Sequence, residues 1–398
     1  MKEQQEQAIQ TVTASATGKV LAESAVAPSA ATATEVGGGL VSGILRLLML
    51  VALLPGLVGN AHASHESIIE PENTGWSFQF DNDVFVGGNK DQDYTGGFAV
   101  TLSGRRAENY RWSPAALRRW ADHQLGVEDR LMENSEHYSK HALEWGAALF
   151  TPNDITSAEA NPNDRPYASL FFLNSTEQTI FPQRSLSLKS SLTLGVLGLD
   201  FADNLQSGIH KVLGSTQPEG WENQISSGGE LTARYSLSLQ KTAFLQRYSN
   251  GLTQEFNWTA EADVGFTTGF GGGFNWRFGR IGTPWWTFNP HQSEYLNLGS
   301  NIASGVEATS TRERYIYVGS SVNVNIYNAF LQGQFRDSAV QADKNDVLPV
   351  SADAWAGVSV EVVPSLHVEG FVRARTRELD RPDARAPTWA GLIIRRTL

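Results

Sequence analysis

The side chains best suited to catalysis lie in a short segment. This segment lacks the alternation of apolar and polar residues that the flanking sequence shows. Residues 201–214 have apolar residues at helical spacing, so a short helix is predicted there, ended by Gly214. On a second stripe of this helix lie Asp203, Gln206 and His210. A histidine on a rigid helix could act as a general base. From spacing alone it could equally be a surface or packed residue. The apolar stripe comprises Leu205, Ile209, Val212 and Leu213.

Oxygen-bearing side chains are dense around the end of the first predicted strand. Asp81, Asn82 and Asp83 are followed by a Gly-, Asn- and Asp-rich run over 87–93 and then by Thr95. Such side chains suit a hard cation such as calcium. It is not an EF-hand loop, because Phe85 occupies a ligand position. A solvated acidic hairpin turn is the alternative.

Two further polar groups stand at strand boundaries. Thr151-Pro152-Asn153-Asp154 follows one predicted strand, and Asp164-Arg165-Pro166-Tyr167 enters the next. A loop salt bridge would explain the second group without any chemistry.

Composition excludes several classes of protein. The chain has 398 residues, a net charge of −11 and no Cys. An acidic chain lacks the basic footprint that nucleic acid requires. Without Cys there are no disulfides, zinc thiolates or Cys nucleophiles. After residue 63 no apolar stretch approaches the length of a transmembrane helix.

The N-terminus has the layout of a secretory signal. Within residues 45–57, a short apolar run follows the basic Arg46. Ala61-His62-Ala63, an A-x-A cleavage site, comes after it. We therefore expect residues 1–63 to be an N-terminal extension and signal peptide, and 64–398 to be the exported domain. An uncleaved anchor is the alternative. The polar lead over residues 1–40 is unusual and leaves open a later start of translation.

The rest of the chain alternates between apolar and polar residues, the pattern of β-strands with one wet face. Strands of about 10–15 residues suit an all-β, antiparallel, up-and-down transmembrane barrel, because a tilted strand needs about 9–11 residues to cross. A large soluble β-sandwich is the alternative. The long polar connections 105–141, 281–312 and 328–349 are expected to be outer loops, and Val363-Pro364-Ser365 a periplasmic turn. About twelve strands are predicted: 75–86, 94–104, 142–151, 166–180, 185–199, 226–240, 253–268, 270–280, 314–326, 350–363, 365–377 and 388–398.

Five short motifs, taken in order, resemble the LpxR family, the outer-membrane lipid A 3′-O-deacylases. The resemblance covers residues 75–230. Beyond residue 230, the chain shares with the family only the alternating pattern of barrel strands. The motifs are Phe80-Asp81-Asn82-Asp83, Asp93-Tyr94-Thr95-Gly96-Gly97, Phe150-Thr151-Pro152, Asp164-Arg165-Pro166-Tyr167-Ala168, and Gln206-x-x-x-His210-Lys211-x-x-Gly214 with Pro218-x-Gly220-Trp221-x-Asn223-Gln224.

The resemblance implies a twelve-stranded barrel in the outer membrane of a Gram-negative bacterium. Its site would lie on the outer side, between the barrel wall and a loop helix. His210 would be the general base and Gln206 would position it. Asn82, Asp83 and Thr95 would build the polar or calcium-binding part, with Asn82 as a catalytic residue and Asp83 and Thr95 as metal ligands. The substrate would be lipid A within lipopolysaccharide, among outer-membrane lipids, and we expect a monomer.

Two departures from the family pattern affect the site. Residues 153–162 contain no Lys or Arg where the family has a basic side chain, and Thr216 stands where it has an acid. Either the nearby Arg165, Glu219 or Glu222 replaces these side chains, or the activity is altered or absent.

Other functions remain open from the sequence. An outer-membrane phospholipase would need a Ser nucleophile, and Ser207, three residues before His210, is too near for a usual dyad. A porin or structural barrel is the non-enzymatic alternative, although about twelve strands leave a lumen that side chains can largely fill.

Overall fold

The computed structural model describes residues 70–86, 93–127, 136–213, 216–293 and 312–398. Within these ranges, the side chains of Ile209, Val212, Leu213, Gln292 and Ser293 are not described. The predicted signal peptide, the polar run over 87–92 and the Gly214 helix end lie outside the described residues.

Twelve antiparallel strands form a closed barrel in which each strand pairs with its sequence neighbour, and β1 closes the sheet against β12. The all-β fold and the number of strands are confirmed. The strands are Gly75–Asn82, Asp93–Ser103, Tyr138–Thr151, Ala168–Phe181, Leu186–Leu197, Glu230–Arg247, Thr253–Gly265, Thr267–Arg280, Arg314–Asn328, Val350–Val363, Leu366–Arg375 and Thr388–Thr397, numbered β1 to β12.

In the part of the chain that the structure describes, four α-helices lie in the connections. They are α1 (Arg105–Asn109), α2 (Ala115–Leu125), α3 (Phe201–Leu213) and α4 (Ala329–Gln332). The helix α3 confirms the predicted loop helix almost to the residue. Among the described residues, no helix combines the length and the apolar character needed to cross a bilayer.

The two faces of the wall follow from the strand alternation. Polar side chains point into the lumen, where the segment 285–291 is bonded to β4, β6, β7 and β11. Those bonds run from Gln178 to the Trp286 carbonyl (2.9 Å), Gln240 to the Trp285 carbonyl (3.0 Å), Thr259 to His291 (2.8 Å) and Arg373 to the Pro290 carbonyl (2.7 Å). Outward residues such as Ile316, Val318 and Val322 are exposed, as a lipid-facing wall requires.

The two ends of the barrel differ in their connections. One end, here the periplasmic end, has the short turns 182–185, 248–252 and 364–365 together with both ends of the barrel sequence. The opposite, outer end has the connections 152–167, 198–229, 329–349 and 376–387.

Two of the three predicted outer loops are therefore wrong. Because successive strands run in opposite directions, successive connections lie at opposite ends of the barrel. The connections 104–137 and 281–313 are therefore at the periplasmic end, and only 329–349 is at the outer end. Length and polarity misled the prediction, because a described part of each connection packs on the barrel. The segment 285–291 enters the lumen, and α2 packs on β4 and β5.

Candidate active site on the outer wall of the barrel

The helix α3 lies on the outward face of β3 and β4 at the outer end. Ala202 is fully buried in a cluster with Leu149, which points outward from β3, and Leu205 and Phe171 pack against that cluster. Phe171, outward on β4, also meets the half-exposed Phe201 with ring centroids 5.5 Å apart. The helix thus packs on the wall through Phe201, Ala202 and Leu205.

Gln206 is buried and held by an aromatic side chain from the following loop. The Trp221 indole N–H donates to Gln206 Oε1 at 2.7 Å. The same indole packs on the Tyr167 ring with centroids 4.9 Å apart, and Tyr167 belongs to the Asp-Arg-Pro-Tyr motif that enters β4. Two of the five sequence motifs therefore meet at one point. The partnership of Trp221 with Gln206 could not be found from sequence spacing.

His210 is buried one turn further along α3. Its Nδ1 lies in hydrogen-bond contact with the carbonyl oxygen of Thr216, after the helix has ended. Because a carbonyl only accepts, Nδ1 carries the proton in this contact, and Nε2 is the ring nitrogen with the lone pair. Residue 216, where the family pattern has an acid, thus contacts His210 through its backbone carbonyl oxygen.

Asn82 and Thr95 lie on the same outward face of β1 and β2. Asn82 pairs with Gly96, and Thr95 occupies the bulge between Tyr94 and Gly96. Thr95 is buried, with its hydroxyl 2.6 Å from that of Thr151 on β3. Thr151 points outward two residues after Leu149, which connects this polar group to the cluster under α3.

Gly96 is required for this arrangement. A Cβ at position 96 would lie 2.6 Å from the carbonyl oxygen of Asp81, and the residue has a φ of +150°. Only glycine allows such a close approach between β1 and β2. The bulge that turns Thr95 outward therefore depends on Gly96.

Asp83 begins a 3-10 turn, Asp83–Val86, directly after β1 and is buried. The first predicted strand is thus four residues shorter than expected. Beside Asp83, the Asn82 side-chain oxygen accepts from the Val84 amide at 2.7 Å. Carboxylate, amide and hydroxyl oxygens from Asp83, Asn82 and Thr95 form a set that suits a hard cation, because calcium prefers oxygen ligands.

The other acidic residues of these motifs have partners of their own, and Asp81 points into the lumen. Asp81 accepts from Gln79 at 2.8 Å and from the Tyr94 hydroxyl. Arg385 lies between Asp93 (3.5 Å) and Asp164 (3.9 Å). These contacts hold the lumen at the outer end and separate Asp81 from its neighbours Asn82 and Asp83.

None of the three candidate replacements has a visible role at the site. The Arg165 guanidinium lies over the inward Phe150 ring at 4.6 Å and 3.6 Å from Glu378, so it serves the lumen. Glu219 and Glu222 are exposed. Position 165 therefore does not restore the missing basic side chain on the outward face.

Glu108, His141 and Glu177 form a second cluster that could hold a metal ion, since one ligand atom from each lies within 4.8 Å of the others. This cluster is at the periplasmic end, whereas Asp83 and Thr95 are at the outer end. Arg118 already lies 2.8 Å from Glu177, which lowers the need for a cation there.

Together, the closed barrel, its lipid-facing wall and the helix-covered outer face define an outer-membrane β-barrel protein with a wall-side polar site. A family model described as outer membrane protein LpxR matches residues 47–396. The chain therefore belongs to the LpxR family, as the sequence motifs predicted.

One solved structure shares the fold. LpxR from Salmonella typhimurium is similar over 82% of this chain and 100% of that chain, with 13% sequence identity and a TM-score of 0.61. The beta domain of the Bordetella autotransporter Brka covers the same shares at 10% identity and a TM-score of 0.38. No curated protein sequence matches the chain.

Proposed function

We propose that this chain hydrolyses an acyl ester of lipid A, with 3′-O-deacylation as the specific reaction and His210 as the general base. The observation that carries the proposal is the position of His210. It lies on a helix over the lipid-facing wall at the outer end, with Nδ1 against the Thr216 carbonyl. A base at this place can reach an ester at the level of a lipid headgroup without extracting the lipid from the membrane.

The chemistry needs a nucleophile and a means of stabilising the oxyanion. The chain has no Cys, so a water activated by His210 Nε2 is the simplest nucleophile. The Thr216 carbonyl would stabilise the imidazolium that forms when Nε2 takes the proton. Gln206, fixed by Trp221, is a positioning residue that holds the helix face on which His210 lies.

The polar group on β1 and β2 fits the calcium ion that the family implies, by the oxygen chemistry of its side chains. Asn82, Asp83 and Thr95 would hold the ion, which would act as a Lewis acid on the ester carbonyl and offset repulsion between this acidic protein and anionic lipid A. The buried Thr95 hydroxyl and Asp83 carboxylate are the strongest support for this assignment.

Two alternatives have less support. A phospholipase using Ser207 would need that hydroxyl activated by His210, but Ser207 donates to Asp203 at 3.1 Å. A porin would need an open lumen, whereas the segment 285–291 is bonded across it to four strands.

Mass spectrometry of lipid A from cells expressing the full chain tests the proposal. The wild type should remove one acyl chain from lipid A and leave phospholipids intact. His210→Ala should lower the rate by about 10²–10⁴-fold, the usual contribution of a general base. His123→Ala, at an exposed histidine of α2, is the matched control and should retain full activity.

Heat-modifiable migration on gels separates chemistry from folding. His210→Ala should keep the folded band, because α3 lies on the wall and no strand pairing depends on it. Wild-type deacylation by His210→Ala would exclude it as the base. Phospholipid cleavage with unchanged lipid A would favour the phospholipase, and conductance without hydrolysis would favour the porin.

A further inference from the structure

The helices α1 and α2 cover a polar patch on the lipid-facing wall at the periplasmic end. His141, Glu177, Ser190 and Tyr235 alternate with the inward side chains of β3 to β6, so all four point outward. Charged groups on such a wall are costly if they face hydrocarbon. Something other than lipid must therefore cover them.

The polar face of α2 provides that cover. Arg118 is fully buried and donates to Asp122 (2.6 Å), Glu177 (2.8 Å) and the Ser190 hydroxyl (2.9 Å). The Tyr235 hydroxyl donates to Asp122 at 2.5 Å. The helix is thus attached to the outside of the barrel through its charged residues.

The opposite face of this segment is apolar and exposed. Trp112, Leu117 and Trp120 expose 52%, 53% and 64% of their surface. Trp112 also reaches Trp145, which points outward from the middle of β3, with ring centroids 6.1 Å apart. A segment that touches the middle of a membrane-spanning strand on its lipid side has its exposed face in the bilayer.

The charge of the segment differs from that of the whole chain. Residues 105–125 have five arginines and two acidic residues, a net charge of +3, in a chain of net charge −11. Arg105 and Arg119 are paired with Glu72 and Glu108. Arg106 and Arg111 are exposed beside the apolar face. Tryptophan and arginine next to each other on a helix are typical of membrane interfaces.

We propose that residues 105–125 form a binding site for an anionic phospholipid of the periplasmic leaflet. Trp112, Leu117 and Trp120 contact its acyl chains, while Arg106 and Arg111 contact the phosphate of its headgroup. The arginines attract the anionic phosphate, and the ion pairs of Arg118 hold the helix against the wall. This site is at the opposite end of the barrel from His210 and does not depend on the proposed deacylase activity.

The membrane position of α2 can be measured directly, because the chain has no Cys and single labels are unambiguous. A nitroxide on Leu117→Cys in vesicles should be accessible to oxygen and protected from a water-soluble nickel complex. Val358→Cys, outward and exposed on β10, is the lipid-facing control. Ser249→Cys, exposed in the β6–β7 turn, is the aqueous control. A label at 117 that behaves like the one at 249 would overturn the proposal and indicate a protein partner in the periplasm.

Lipid selectivity tests the headgroup contact. Native mass spectrometry of the detergent-solubilised full chain, with phosphatidylglycerol or phosphatidylcholine of the same acyl chains, should show tighter binding of phosphatidylglycerol. The double variant Arg106→Glu with Arg111→Glu should weaken that binding by about tenfold or more, since each basic residue near an anionic surface contributes measurably. Lys344→Glu, an exposed charge reversal at the outer end, should bind as the wild type does.

Equal losses in the double variant and in Lys344→Glu would mean that net charge alone governs binding, which would overturn the site. Equal affinity of the wild type for the two lipids would also overturn it. Both outcomes leave the deacylase proposal unaffected, because that proposal is read from lipid A mass.

Discussion

The Nδ1 atom of His210 contacts the carbonyl oxygen of Thr216, a backbone group six residues further along the chain. A histidine that acts as a base needs its second nitrogen oriented, and a carboxylate is the usual partner. Here the peptide backbone provides the acceptor. The side chain at position 216 is therefore not needed to orient His210. The backbone conformation at residue 216 is still needed, because it positions the carbonyl oxygen.

The substitution Thr216→Ala should thus have little effect on deacylation. The carbonyl oxygen remains, and residue 216 is exposed, so the rate should stay within about threefold of the wild type, less than one ordinary hydrogen bond contributes. Lipid A mass spectrometry over a time course measures this. A loss as large as that of His210→Ala would show that the threonine side chain itself takes part.

Asp83→Ala should lower deacylation at least about tenfold, which corresponds to more than about 1.4 kcal/mol of transition-state stabilisation. Removal of divalent cations by a chelator should have a similar effect, and calcium should restore the wild type but not the variant. Asp343→Ala, at an exposed acid of the same end, is the matched control and should remain active. Full activity in chelator would remove the metal from the mechanism.

The alternation of the sequence predicted the barrel because each strand has one polar and one apolar face, as Val350–Val363 illustrates. The helix α3 was predicted from the helical spacing of its apolar residues, and Ala202 and Leu205 pack against the wall. The helix α2 was not predicted, because its charged residues face the barrel wall and its apolar residues are exposed. Arg118 and Asp122 are buried against the wall and Trp120 is exposed, an arrangement that only the neighbouring strands explain.

The site was only partly predictable. The family resemblance indicated Asn82, Thr95, Gln206 and His210 as candidate site residues. The structure has Asn82 and Thr95 on the outward face of the wall, and Gln206 and His210 on a helix that packs against that face. The contact of His210 with the Thr216 carbonyl could not be predicted, because every residue has a carbonyl and sequence does not show where it points. The expectation that Arg165 replaces the missing basic residue was wrong, because its guanidinium lies over the inward Phe150 ring. Sequence does not show in which direction a loop side chain points.

Trp221→Phe should lower deacylation by about two- to tenfold. Phenylalanine keeps much of the ring packing on Tyr167 but removes the N–H that donates to Gln206, and a neutral hydrogen bond contributes about 0.5–1.5 kcal/mol. Gln206→Ala should also be milder than His210→Ala, because Gln206 orients and does not transfer protons. The double variant should lose no more than the larger single effect, since both remove one interaction. Fully additive losses would mean that the two residues act separately.

The mature protein should begin at Ser64 and fractionate with the outer membrane. Residues 45–63 have the apolar run and the A-x-A site that signal peptidase recognises. N-terminal sequencing of the protein recovered from outer-membrane fractions measures this. Ala63→Arg should block cleavage, whereas Ala52→Leu, inside the apolar run, should not. Intact protein beginning at Met1 in the cytoplasm would contradict the predicted export.

Arg118→Met should destabilise the barrel strongly. The arginine binds Asp122 and Glu177 in a fully buried position, and breaking a buried ion pair by removing one partner costs about 3–5 kcal/mol. The urea concentration at which the heat-modifiable band disappears measures the loss. Arg119→Met is the control: Arg119 is half exposed beside Glu108, so its removal should change stability by less than about 1 kcal/mol.

Asp122→Asn should be milder than Arg118→Met, and its effect should depend on pH. Burial raises the pKa of Asp122 above its ordinary value, although Arg118 and Tyr235 oppose the shift. The folded state therefore holds this proton more tightly than the unfolded state, and the stability that results is present at low pH and lost as pH rises through the folded pKa. Asparagine does not titrate, so the stability difference between wild type and variant should narrow as pH rises across that range. A difference that widens with pH would mean that the ionised carboxylate, paired with Arg118, is the more stable form in the folded protein.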